Sequence, residues 1–143
     1  MRFIVFVKAT PESEAGVLPK PEMLAKMGAF NQQLAKAGMM LAGDGLQPTS
    51  KGARISYAGA KPVVTDGPFT ETKELVAGFW LLQAKSKAEV VEWLLRCPFE
   101  NGEQIEIRQI YEMEDFAPVM TPEIEAQHQR LDVQITGQAQ NKP

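Results

Sequence analysis

Apolar residues change their spacing along the chain, and the changes separate strands from helices. Phe3, Val5 and Val7 alternate with Ile4 and Phe6, so Met1 to Lys8 reads as a strand apolar on both faces and central in its sheet. Thr10 to Lys20 is rich in turn residues. Pro21 suits a first helical position, Met23, Met27, Phe30 and Leu34 recur at helical spacing, and Gly38 suits the stop. Met39 to Leu46 returns as a strand ending at Asp44-Gly45, and Arg54 to Tyr57 pairs with Pro62 to Thr65 through a turn at Gly59. Leu75 to Ala84 is apolar almost throughout, which predicts a strand covered on both faces. Ser86 and Glu89 have the spacing of a capping box, and Val90, Val91, Leu94 and Leu95 then share one face of a helix that runs to Cys97. In the last core strand, Gln104 to Tyr111, Ile105, Ile107 and Tyr111 alternate with Glu106, Arg108 and Glu112.

This order predicts an α+β chain: a ferredoxin-like β-α-β-β-α-β sandwich with an inserted β-hairpin and both helices on one face of the sheet. Two helices leave the other face bare although its strands are apolar there. A second copy of the chain pressing sheet to sheet would cover it, so the pattern predicts a homodimer. The core domain is expected to span residues 1–115. Residues 116–143 form a C-terminal extension in which Ile124, His128, Leu131 and Ile135 fall on one helical stripe able to dock, with fraying expected from Gly137 to Pro143.

Composition narrows the function classes. The 143 residues carry 15 basic and 18 acidic side chains, with no Lys and Arg run suited to a phosphate backbone, so nucleic acid is not an expected partner. Nothing approaches the roughly 20 apolar residues of a membrane span, and the first residues read as a strand rather than a leader. The lone cysteine, Cys97, excludes an intrachain disulfide and suits a reducing, cytoplasmic setting. Its spacing with Val90 and Leu94 marks it as a packing residue. No phosphate-cradling loop or nucleophile motif occurs. The single histidine, His128, has no second ligand at metal-binding spacing, so neither a metal nor another cofactor is expected.

The chemically dense stretch is Thr65 to Glu74, which places Asp66, Glu71, Lys73 and Glu74 between two strands. Pro68 has no N–H, so the nearest amide beyond Gly67 that Asp66 can reach locally is that of Phe69. Asp66 either caps the turn or faces a ligand at the mouth of the sheet. Glu71 and Lys73 share a side on an extended segment, whereas Glu71 and Glu74 share one on a helical turn. Clustered carboxylates in a cleft suit acid-base work and Lys73 suits an anion; a surface salt-bridge patch is the plain alternative. Glu106 and Arg108 either line a cavity between subunits or pair across a solvated edge, and Arg54, Phe69 and Asp44 are further candidates for ligand contact.

Asp66-Gly67-Pro68-Phe69, followed by Glu71, Lys73-Glu74 and Gly78-Phe79, resembles the signature of the DGPF proteins of the YCII-related family. Gly43-Asp44-Gly45-Leu46, Arg96-Cys97-Pro98 and Ile105-Glu106-Ile107-Arg108 extend the likeness over most of residues 1–115. The resemblance implies a ferredoxin-like dimeric α+β barrel. Some members are suspected enzymes because a His–Asp pair lies in a cleft, and some are encoded beside sigma factors. Here the only histidine lies outside the similar region, so that pair does not carry over. Two functions follow: an enzyme-like protein doing cofactor-independent acid-base chemistry on a small organic molecule, with Asp66, Glu71 and Glu74 as the acid-base candidates, or a non-catalytic ligand-binding or regulatory module, with a link to sigma-factor regulation as one form.

Overall fold

Ten helices and strands follow one another along the chain in the computed structural model, which describes residues 1–140. They are β1 (Arg2–Lys8), α1 (Pro11–Glu14), α2 (Pro21–Lys36), β2 (Met40–Gly45), β3 (Ala53–Ser56), β4 (Val63–Asp66), β5 (Val76–Gln83), α3 (Lys87–Leu94), β6 (Ile105–Gln109) and α4 (Pro122–Gln140). Two compact units result, one of residues 1–110 and a second beginning at Tyr111.

In the first unit, β2, β5, β1 and β6 form an antiparallel sheet in that order, while β3 and β4 pair separately as a hairpin. This is the ferredoxin-like arrangement with the hairpin inserted between its second and third strands. Among the described residues the sheet stays open; it does not close into a barrel.

Local signals set the helix ends. Pro21 opens α2, and Gly38, at φ 73°, closes it in the left-handed region open to glycine. Met39 N–H then reaches Leu34 C=O at 2.9 Å and Gly38 N–H reaches Ala35 C=O at 2.9 Å, which satisfies two carbonyls at the helix end. Ser86 Oγ accepts from the Glu89 amide at 3.2 Å, as its spacing predicts, but the Glu89 carboxylate turns to the Lys85 amide at 2.7 Å. The cap therefore reaches one residue further back than a capping box does.

The core lies between the sheet and two helices. Phe3 and Val5 of β1, Trp80 and Leu82 of β5, Phe30 and Leu34 of α2, and Val90 and Leu94 of α3 form one buried cluster. Trp80 meets Phe30 and Phe99 edge-on at 6.3 and 6.0 Å, and its ring N–H donates to Asn31 Oδ1 at 2.8 Å. These residues alternate with Ile4, Phe6, Phe79 and Leu81, which point to the opposite face and are half-buried. Two rows of side chains cross that face, Asp44–Phe79–Phe6–Glu106 and Ala42–Leu81–Ile4–Arg108. Its centre is apolar; Asp44, Glu106 and Arg108 stand on the edge strands, and alternation puts Arg2 and Lys8 at the two ends of β1 on the same face.

Several expectations are corrected. Thr10 to Glu14 is not simply turn: Thr10 and Ser13 cap each other reciprocally and hold α1. Helix α3 ends at Leu94, and Cys97 follows it, half-buried against the core. Strand β6 ends at Gln109, so Tyr111, 71% exposed, does not extend its apolar face. In the second unit a 3-10 segment, Met113–Val119, precedes α4. Along α4, Ile124, His128, Leu131 and Ile135 are all exposed. Gly137 to Gln140 is helical where fraying was expected, and Asn141 to Pro143 lie outside the described residues.

Candidate functional site

Antiparallel pairing brings the end of β1, the end of β2 and the starts of β5 and β6 to one end of the sheet. The loops that carry the chemistry meet there. Helix α1 follows β1, a 3-10 turn at Thr49–Lys51 follows β2, and the segment from Gly67 to Leu75 enters β5. Ala9 N–H donates to Leu75 C=O at 2.9 Å and ties that entry to the end of β1.

The Gly67–Pro68 bond is cis, and the turn around it is pinned at two points. Gly67 N–H donates to Gly52 C=O at 3.0 Å. Phe69 N–H donates to Thr49 Oγ1 at 2.9 Å, and that hydroxyl donates in turn to Glu14 Oε2 at 2.6 Å. Glu14 Oε1 also accepts the Thr49 amide at 3.3 Å. The approach is so close that a Cβ on Gly67 would lie 1.7 Å from the Thr49 carbonyl oxygen. Glycine at this position is required by backbone contact rather than by its φ.

Asp66 is the last residue of β4, and its side chain is exposed with no hydrogen bond among the described residues. The Phe69 amide that was its local donor is taken by Thr49, so Asp66 does not cap the turn. Arg54 and Phe69 do come together: the guanidinium carbon lies 3.9 Å from the ring centroid. Glu71 adopts a left-handed backbone at φ 63° and ψ 54°, a conformation that costs a side-chain-bearing residue about 1 kcal/mol. It opens a 3-10 turn, Thr72–Glu74, in which Glu74 N–H donates to Glu71 C=O at 2.8 Å. The helical geometry therefore holds, and Glu71 and Glu74 bracket one turn with their side chains and that of Lys73 exposed.

On the open sheet face, Glu106 pairs with Lys8 of the neighbouring strand at 3.4 Å and with Arg108 of its own strand at 3.7 Å. The Lys8 side chain is only 15% exposed. Lys8, Glu14 and Thr49 were not among the residues singled out by sequence. Alternation places Lys8 on the face of Ile4 and Phe6, which was the one available signal; nothing local marks Glu14 or Thr49, whose contact spans 35 positions. Burial pushes the Cys97 thiol up to about 12, with the charge of Glu103 adding to the shift against a hydrogen bond from the Phe99 backbone. No helix is long and apolar enough to cross a membrane among the described residues.

The YCII-related domain model matches residues 1–114, which takes in the whole sheet, the hairpin and the pinned turn. This chain belongs to the YCII-related family. A 71-residue stretch of the YCII-related chain, 50% of its length, is 30% identical to an uncharacterised protein of Rhizobium meliloti (strain 1021). It spans 57% of that relative. Among solved structures, 5-chloro-2-hydroxyhydroquinone dehydrochlorinase from Burkholderia phenoliruptrix AC1100, in complex with 2,5-dihydroxybenzoquinone, aligns at a TM-score of 0.40 and 18% identity. The alignment covers 80% of this chain and 98% of the dehydrochlorinase, and no residue role is transferred from it.

Proposed function

We propose that this YCII-related domain acts as a homodimer that binds a small organic molecule at the pinned end of its sheet, with Asp66 as the group that exchanges a proton with it. The observation carrying this reading is a rigidly held turn that leaves an exposed carboxylate without a local partner. Thr49, Glu14 and Gly52 immobilise the backbone on either side of Pro68, so Asp66 is presented from a fixed base. Arg54 stacked on Phe69 offers a cation and a ring edge to an anionic or planar ligand. Lys73, in the segment that enters β5, is the further cation offered to an anion, and Glu71 and Glu74 are secondary acid-base groups; Arg108 lies away from this end, opposite Ile4. Base work near neutral pH needs a carboxylate drawn out of water, and a second subunit over the open sheet face is the cover available.

A non-catalytic binding or regulatory role for the same site is favoured by one fact: residues 1–110 contain no histidine, the commonest proton-transfer side chain. A thermal-shift screen of small organic acids against wild type and Asp66→Ala tests the shared premise. A ligand that raises the melting temperature of wild type but not of the variant supports the site. A variant that melts lower while responding to the same ligands would reduce the motif to a structural turn. Turnover of the ligand then separates enzyme from binder.

A further inference from the structure

Strand β1 runs through five apolar residues, Phe3 to Val7, and then ends on a lysine. Alternation puts Lys8 with Ile4 and Phe6 on the face away from the helices, and its ion pair with Glu106, the residue opposite Phe6, holds it there. The side chain is only 15% exposed, so most of its length is withdrawn from water. An ammonium carries three donors. Among the described residues Lys8 has Glu106 as its one ion-pair partner, at 3.4 Å, longer than the roughly 2.7 to 2.9 Å of a charge-assisted hydrogen bond.

That partner is also shared. Arg108 approaches Glu106 at 3.7 Å with a side chain 69% exposed, so two cations answer one carboxylate. Asp44, the other carboxylate of the row, stands on β2, two strands and so about 10 Å from β1. Phe6 and Phe79, directly opposed across β1 and β5, give a half-buried apolar floor beside Lys8. The position is the sheet end where the loops converge. Lys8 N–H donates to Gln104 C=O at 2.9 Å, Ala9 N–H to Leu75 C=O, and the Thr72–Glu74 turn lies against β1. That turn brings Lys73 and Glu74, both exposed, whose charges offset each other.

We propose that Lys8 is the anion-binding residue of this sheet face: its ammonium takes the carboxylate of a small organic acid whose flat apolar body lies on Phe6 and Phe79. This rests on the small-molecule reading above and names the class of ligand and the group that holds its charge. A ligand carboxylate gives Lys8 the close bond that Glu106 does not, in a place where such a bond is worth more than an exposed surface pair. Arg108 is a positioning residue in this arrangement, because it keeps Glu106 neutralised while Lys8 engages the ligand.

Isothermal titration of the full chain at constant ionic strength, with benzoate and phenylacetate and with their uncharged amides as controls, tests the proposal. Wild type should bind the acids about tenfold or more tighter than the amides, the worth of one hydrogen bond to a charged group. Lys8→Met keeps an apolar stem and should bind acid and amide alike, whereas Lys8→Arg should retain the preference. Glu106→Gln removes the competing carboxylate and should tighten the acids about threefold, the opposite of what loss of a merely structural ion pair would do. Circular dichroism confirms that each variant is folded. Acids that bind Lys8→Met as they bind wild type, a wild type without preference for acid over amide, or a Glu106→Gln variant with weakened acid binding would each overturn the proposal. Asp66→Ala separates the two levels: acid binding lost there but kept in Lys8→Met leaves the Asp66 reading and removes this one, and the reverse supports Lys8 and removes the role of Asp66.

Discussion

Thr49 joins three segments through one hydroxyl, accepting from Phe69 and donating to Glu14. Thr49→Val keeps the shape but leaves the Phe69 amide without its acceptor, so a loss of about 1 to 3 kcal/mol in urea unfolding is expected. Gly67→Ala should cost at least as much, because the added methyl meets a backbone carbonyl rather than the movable tip of a side chain. If the two variants unfold at the wild-type urea midpoint, the turn is not pinned as described. Cys97 gives a pH signature. Its folded value, about 12, lies above its ordinary value near 9.0, so between those limits the unfolded chain has lost the proton that the folded chain keeps. Stability from this group therefore falls as pH rises from about 9 toward 12. Iodoacetamide should label native Cys97 near pH 9 more than about tenfold more slowly than the urea-unfolded chain; equal rates would contradict its burial.

Elements divide by whether their signals are local. Ser86 caps α3 through a bond to the amide three residues on, and Ser86→Ala should lower stability by about 1 kcal/mol in the same unfolding assay, with no loss expected only if the cap is absent. That cap was legible from sequence because donor and acceptor are neighbours in the chain. The same holds for Pro21 and Gly38 at the ends of α2 and for the two-faced apolar runs of β1 and β5. The pairing of Lys8 with Glu106 was not legible, since it depends on the register of β1 against β6. Nor was the left-handed backbone at Glu71, which a side-chain-bearing residue of this type disfavours. In α4, helical spacing and Pro122 at the first turn made the helix legible. At the site, the family-like motif was visible, yet Thr49 and Glu14, which hold it in place, were not.

For the whole molecule, the half-buried apolar face of the sheet matters most. If two copies close over it, stability becomes dependent on concentration, because dissociation accompanies unfolding. Raising the protein from 1 to 100 μM should lift the melting temperature by about 3 °C or more for a chain of this size; a constant value would indicate that unfolding involves a monomer. The hairpin of β3 and β4 behaves differently. All eight of its strand residues are exposed, its tip turns at Gly59 with φ 77°, and its base is closed by Gly67 on Gly52 and by Phe69 on Thr49. Changes at the tip are thereby isolated from the sheet. Doubling the length of such a loop costs only about 0.6 kcal/mol. The hairpin tip is accordingly the place where this lineage can gain or lose residues, and so acquire a different ligand or partner, while the architecture beneath it is inherited intact.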